Sequence, residues 1–234
     1  MRIASVIAKW VFILSLPALF ISAGIAWGFN SLWLYEYGFQ KYDVSQSTSL
    51  PEAELEKAAR GLIGYFNSTE EYVHITVTNQ SGDTFELFTP DEQVHFRDVR
   101  GLVWLDYRVL LASLIIVLIY ALFSIFRKRG VYHRQLAGAV IWGSRLTLIL
   151  LAVLGIAAVL DFDRLFLQFH FLAFTNTLWS AQGYMLLLFP GGFWFDAALI
   201  CGAFMVGLAL IFYILSRVYL RAGRNTNAGI PPEA

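Results

Sequence analysis

Two histidines carry the chemistry this sequence offers. His95 lies in Thr89-Pro-Asp-Glu-Gln-Val-His-Phe-Arg-Asp-Val99, just before a long apolar stretch, and His170 lies in Phe169-His-Phe-Leu-Ala-Phe-Thr-Asn-Thr-Leu-Trp179, just after the next one. Imidazole gains and loses a proton near neutral pH and is the side chain best suited to general acid–base work. The placement of the two relative to the apolar stretches predicts that they meet at one edge of a membrane. Asp98 follows His95 by three residues, which on a helix puts both on one face. Its carboxylate is expected to accept an imidazole N–H and fix the tautomer. The same residues also permit a capped surface helix with an incidental histidine at 95 and a purely structural histidine among aromatics at 170. His74 reads as a strand-surface residue and His133 as a solvated loop residue.

The elements that must position these groups follow from composition. The chain has 234 residues, of which 58% are hydrophobic and 15% charged, with a mean hydropathy of +0.60. Soluble domains average roughly 45–50% apolar and about 25% charged residues. The apolar excess collects in blocks at about 8–28, 103–126, 136–160 and 197–220. Each reaches the roughly 20 residues a helix needs to cross hydrocarbon, and without water only a helix satisfies its own backbone there. The expected fold class is therefore an α-helical polytopic membrane protein with four transmembrane helices. The first block resembles a signal peptide but is long for one, so it is expected to stay as an anchor.

Net charge is zero, so the total points to no nucleic-acid partner. Its distribution is informative. Arg127, Lys128, Arg129 and Arg134 fill the loop after the second block, Arg217, Arg221 and Arg224 follow the fourth, and Arg2 and Lys9 flank the first. Basic loops stay cytoplasmic, so both termini are expected inside and both segments carrying His95 and His170 outside. Arg145, about ten residues into the third block, is read as interfacial, or else as snorkelling or paired with a lipid phosphate. The single cysteine, Cys201, falls in an apolar block and excludes an internal disulfide framework.

The expected organisation is a first transmembrane helix over 1–28, an extracytoplasmic α+β cap over 29–102, the second and third transmembrane helices with their basic loop over 103–160, an interfacial segment over 161–196, and the fourth helix with its tail over 197–234. In the cap, Ser49 and Pro51 read as the start of a helix whose apolar positions are Leu55, Ala58, Ala59, Leu62, Ile63 and Phe66. Residues 73–78 and 84–88 read as strands joined by an Asn79–Asp83 turn. Thr89, Pro90 and Glu92 form a capping-box start for a helix running on into the second span. Residues 161–196 are crowded with aromatics, broken by Pro190-Gly-Gly192, and read as a piece at headgroup depth.

Three short stretches, Glu92-Gln-Val-His95-Phe-Arg-Asp98-Val, Phe169-His170 with Phe174, Asn176 and Trp179, and Leu188-Phe-Pro190 with Phe193 and Asp196, together with their order relative to the spans, resemble the Lit family, the bacterial lipoprotein intramolecular transacylases. Phe96 departs from the methionine expected after the histidine. The resemblance implies a transferase that moves the sn-2 acyl chain of a diacylglyceryl-cysteine lipoprotein to its free α-amino group, leaving an N-acyl, S-monoacylglyceryl product, in the bacterial cytoplasmic membrane. It implies His95 and His170 as the catalytic pair. Asp98, Asn176, Arg97 and Arg100 are expected to support them, with Asn176 as oxyanion donor and the two arginines behind it. Phe169, Phe174 and Trp179 are expected to face substrate or lipid. Diacylglyceryl lipoproteins and membrane lipids are the expected partners, with no cofactor and no metal. No Gly-x-Ser-x-Gly and no outer cysteine suggests a covalent route.

A different class of reading is a non-enzymatic membrane protein with an outer sensing or assembly domain. A zinc site from His95, Asp98, His170 and His74, or a bis-histidine haem, is weaker, since no tight ligand spacing supports either.

Overall fold

The structure, a computed structural model, describes residues 2–127 and 130–228. Lys128 and Arg129 of the basic loop lie outside the described residues, as do the side chains of Arg2 and Arg224. In chain order the elements are α1 (Arg2–Asn30), α2 (Leu32–Lys41), α3 (Val44–Thr48), α4 (Glu52–Phe66), β1 (Thr76–Thr78), β2 (Thr84–Glu86), α5 (Pro90–Phe126), α6 (Gly130–Leu160), α7 (Phe162–Ala173), a 3₁₀ turn (Leu178–Ser180), α8 (Tyr184–Leu188) and α9 (Gly191–Ala228). Four of them, α1, α5, α6 and α9, are long and apolar enough to cross a membrane. The fold is that of an α-helical polytopic membrane protein with one small sheet.

The chain divides into two compact units. The first comprises Met1–Gly24, Arg108–Leu154 and Gly202–Ala234. Its core gathers Phe12, Ile13, Leu16 and Phe20 of α1 around Ala139 of α6 and Ala209 of α9. Small residues let these helices approach closely, as in membrane bundles generally. A Cβ on Gly143 would run into Leu16, and one on Gly24 into Met205. Buried hydroxyls are satisfied by their own helix: Thr147 donates to the Gly143 carbonyl at 2.9 Å and Ser15 to that of Val11 at 2.8 Å. Leu118, Ile119, Phe123, Ile211 and Leu215 point outward and are exposed, which suits hydrocarbon rather than water.

The second unit comprises Ile25–Tyr107 and Gly155–Cys201. Here α4 buries Leu55, Ala58, Ala59, Leu62, Tyr65 and Phe66, the face expected from its spacing, with Ile63 half-buried at its border. Glu52 and Glu54 occupy its first turn, where the helix dipole favours them. Ser49 is not its cap. Helix α4 starts at Glu52, and the carbonyl of extended Pro51 accepts from the N–H groups of Glu54 (3.0 Å) and Leu55 (3.1 Å). Ser49 instead closes α3 in a left-handed conformation, φ 56°. Helices α2 and α3 add a layer not foreseen from the sequence, because Trp33, Tyr35, Tyr37 and Gly38 are indifferent or poor helix formers; burial of Leu34, Tyr35 and Phe39 decides the matter. Strands β1 and β2 pair antiparallel with Val77 opposite Phe85. The Asn79 side chain accepts from the N–H groups of Ser81 and Asp83, both at 2.9 Å, across the expected turn.

Arg145 stands within an unbroken α6 and lays its guanidinium against the rings of Trp142 (5.3 Å) and Tyr213 (5.7 Å).

Candidate active site

His95 owes its position to two brackets, one turn away on either side. At the start of α5 the expected capping box forms. The Thr89 N–H donates to Glu92 Oε2 at 2.8 Å, and the Glu92 N–H donates to Thr89 Oγ1 at 3.4 Å. Glu92 is fully buried, and its other oxygen, Oε1, accepts the N–H of Met185 at 2.7 Å. One carboxylate thus closes the helix and holds the segment after α7. Only glycine fits at 183, since a Cβ there would meet the Glu92 carboxylate. The second bracket is Asp98, whose Oδ2 accepts from Asn176 Nδ2 at 2.8 Å, while Asn176 Oδ1 accepts the N–H of Leu178 at 3.0 Å.

His170 comes from α7, capped by Asp161, which accepts the N–H of Arg164 at 3.0 Å. Its Nδ1 lies 2.7 Å from the carbonyl oxygen of Phe166. A carbonyl only accepts, so Nδ1 carries a hydrogen, and in the neutral ring the lone pair is then on Nε2. Rings surround it, with centroid separations of 4.4 Å to Phe166, 5.0 Å to Trp179, 5.4 Å to Phe169 and 5.5 Å to Phe174.

The two imidazoles meet inside this cage. Their centroids are 6.2 Å apart and their planes differ by 26°; they are only 6% and 7% exposed. Phe174 touches both, at 4.9 Å from His95. Two polar atoms of the cage, His95 Nδ1 and Trp179 Nε1, are buried without a hydrogen-bond partner. Leaving such an atom unpaired costs about 1–3 kcal/mol, and few buried polar groups in a folded protein are left so.

Several expectations change at this point. Asp98 does not hold the imidazole of His95: its oxygen is bonded to Asn176, and His95 Nδ1 stays unpaired. Asn176 correspondingly spends its amide on Asp98 and on the backbone, as a brace. Arg97 donates to the Tyr72 hydroxyl at 3.0 Å and covers that ring, while Arg100 lies over Tyr65 at 5.0 Å with its Nη1 buried and unpaired. Phe174 is buried and touches both histidines. Phe169 is about half exposed, and Phe171 and Leu172 beside it are more so. His74 is exposed and lies 3.5 Å from Glu86. Among the described residues no three His, Cys, Asp or Glu side chains gather around one point.

Sequence reasoning passed over Glu92 as a site residue, although its capping-box position signalled a fixed carboxylate. It also passed over Phe166, whose role is a backbone carbonyl and leaves no side-chain signal. Asp196 of the third matched stretch sits elsewhere. It accepts from Lys41 Nζ at 2.6 Å and Tyr42 hydroxyl at 2.8 Å, tying α2 to the start of α9. The bond to Asp196 raises the Lys41 pKa well above the ordinary lysine value.

Four helices long and apolar enough to cross a membrane, and a buried pair of imidazoles, fit a membrane-integral protein equipped for acid–base chemistry. The chain belongs to the lipoprotein intramolecular transacylase Lit family, whose model matches residues 10–194. It is similar in fold to the membrane-integral Lit of Bacillus cereus, with a TM-score of 0.78 and 18% identity over 96% of this chain and 99% of that one. Forms of that protein with a histidine replaced by arginine or alanine align with TM-scores of 0.74 and 0.73, at 19% and 20% identity. The arginine form covers 94% of this chain and 93% of its own, the alanine form 93% and 94%. No curated protein sequence matches significantly. Family membership makes the chain an acyltransferase and sets aside the non-enzymatic reading.

Proposed function

We propose that this protein moves the sn-2 acyl chain of a diacylglyceryl-cysteine lipoprotein to the free α-amino group of the same cysteine, with His95 and His170 as the acid–base pair. The observation that carries the proposal is the meeting of the two imidazoles in one aromatic cage, 6.2 Å between centroids, in a chain of the transacylase family.

The chemistry needs two proton transfers and no covalent enzyme intermediate. The substrate amine, in its neutral form, attacks the ester carbonyl carbon. His170 Nε2, left with its lone pair by the bond from Nδ1 to Phe166, takes the proton that the nitrogen sheds. The proton taken by His170 passes across to His95, which hands it to the glyceryl oxygen as the tetrahedral carbon expels it. The C–O bond breaks, the C–N amide bond remains, and both rings end neutral, as they began. Because amine and ester belong to one molecule, positioning supplies much of the acceleration. The transient oxyanion needs a donor. Trp179 Nε1, buried, unpaired and on the ring next to His170, is a better candidate than Asn176, whose amide is engaged. The acyl chains lie along the exposed face of α7 at Phe169, Phe171 and Leu172.

The basic residues at 127, 134, 217 and 221 support a topology with both termini in the cytoplasm and the histidines on the extracytoplasmic face. Diacylglyceryl-modified lipoproteins and membrane lipids are then the partners. The test is a purified reaction with a synthetic diacylglyceryl lipopeptide carrying an isotope-labelled sn-2 chain. The label is expected on nitrogen in wild type; label that stays on glycerol, or appears as free fatty acid, overturns the reading.

A further inference from the structure

Beyond this activity, we propose that the first unit holds one anionic phospholipid by its headgroup, in a cleft between α1 and α6 on the side of the basic loop. The cleft has a volume of about 470 Å³ and is lined by Lys9 of α1 and by Arg134, Gln135, Gly138 and Trp142 of α6. Its charged lining is entirely positive. Neither Lys9 nor Arg134 makes an ion pair among the described residues. Gly138 forms an open floor, since nothing lies within 4 Å of a Cβ built there. The lining residues of α6 neighbour Ala139 and Gly143, which lie on the packed seam with α1, where a Cβ on Gly143 would meet Leu16.

Arg134, Gly138, Trp142 and Arg145 follow at spacings of four, four and three and form one stripe along α6. This accounts for the cation inside the span. Helix side chains lean toward the N-terminus, which for α6 is the end with the basic loop, and the Arg145 guanidinium lies against Trp142, one turn back. Its charge is thus carried toward the cleft rather than left in hydrocarbon. Trp142 is 58% exposed, as befits an indole at the headgroup boundary. Two unpaired cations, a polar amide, an open floor and an indole wall suit a phosphate with its glycerol. Basic pockets between transmembrane helices bind lipids of this kind.

Native mass spectrometry of the detergent-solubilised full chain, with phosphatidylglycerol and phosphatidylcholine in competition, tests this. Wild type is expected to retain one phosphatidylglycerol with a preference of roughly thirtyfold, the order two lipid-facing cations supply. The Lys9→Gln/Arg134→Gln double variant is expected to lose that preference while keeping acyl transfer. Gly138→Leu, which fills the floor with both charges intact, is expected to lose it as well and serves if the double variant does not fold. Equal retention of the two lipids by wild type, or an unchanged preference in both variants, overturns the proposal. Displacement of the lipid by inorganic phosphate alone overturns the lipid assignment in favour of a soluble phosphate.

Discussion

Nδ1 of His170 donates to the carbonyl oxygen of Phe166 across 2.7 Å, and this bond chooses the tautomer of the ring. A neutral imidazole has one N–H and one lone pair, so fixing the hydrogen on Nδ1 leaves Nε2 as the base. Nitrogen NMR of histidine-labelled protein is expected to show the His170 signal in the Nδ1–H form. A spectrum with the hydrogen on Nε2 would remove His170 as the base in this account and exchange the roles of the pair.

Glu92 is predicted to hold the site together without touching substrate. Its buried carboxylate accepts from Thr89 and from Met185, so Glu92→Gln sets an amide N–H against a backbone donor. A loss of about 1–3 kcal/mol is expected, read as a lowered thermal midpoint, with a fall in kcat that exceeds any change in KM. Wild-type stability in this variant contradicts the bracket.

The glycines make a matched pair. Gly183→Ala drives a methyl into the Glu92 carboxylate and is expected to lower both stability and activity. Gly101→Ala in α5 meets nothing within 4 Å and replaces the poorer helix former, so it is expected to raise stability by up to about 1 kcal/mol. Thermal unfolding of the two variants side by side separates them by sign.

Trp179→Phe keeps the ring beside His170 and removes only the unpaired N–H. If that N–H stabilises the oxyanion, kcat is expected to drop by roughly 10²-fold or more with little change in KM. An unaltered kcat assigns the oxyanion to another donor.

Much of this architecture is legible in the sequence because the physics is local. Long apolar runs must be helices, the Thr89–Glu92 box starts α5, and the spacing from Leu55 to Phe66 gives the buried face of α4. What escaped depends on tertiary contact. Helix α2 is rich in aromatics and carries a glycine, and α3 is built from β-branched residues, serines and a glutamine; burial rather than propensity makes them helical. Asp98 shares a face with His95, as spacing dictates, but a residue 78 positions away claims its oxygen. Periodicity fixes which residues are neighbours on one element; it does not say which distant partner takes the bond. The meeting of His95 with His170 lay at the edge of legibility, reachable from the order of the spans but not from either motif.

The central claim is intramolecular transfer by the histidine pair. The most direct measurement is mass spectrometry of a lipoprotein N-terminal peptide from a bacterial host that makes only the diacylglyceryl form, with wild type, His95→Ala or His170→Ala supplied. The account predicts that wild type leaves the total mass unchanged while moving one chain from glycerol to nitrogen. Each variant, present in the membrane at wild-type level, is expected to slow that transfer by roughly 10²–10⁴-fold, the range of a lost acid–base group. A wild-type peptide with both chains still on glycerol, or variants that transfer at the wild-type rate, would contradict it.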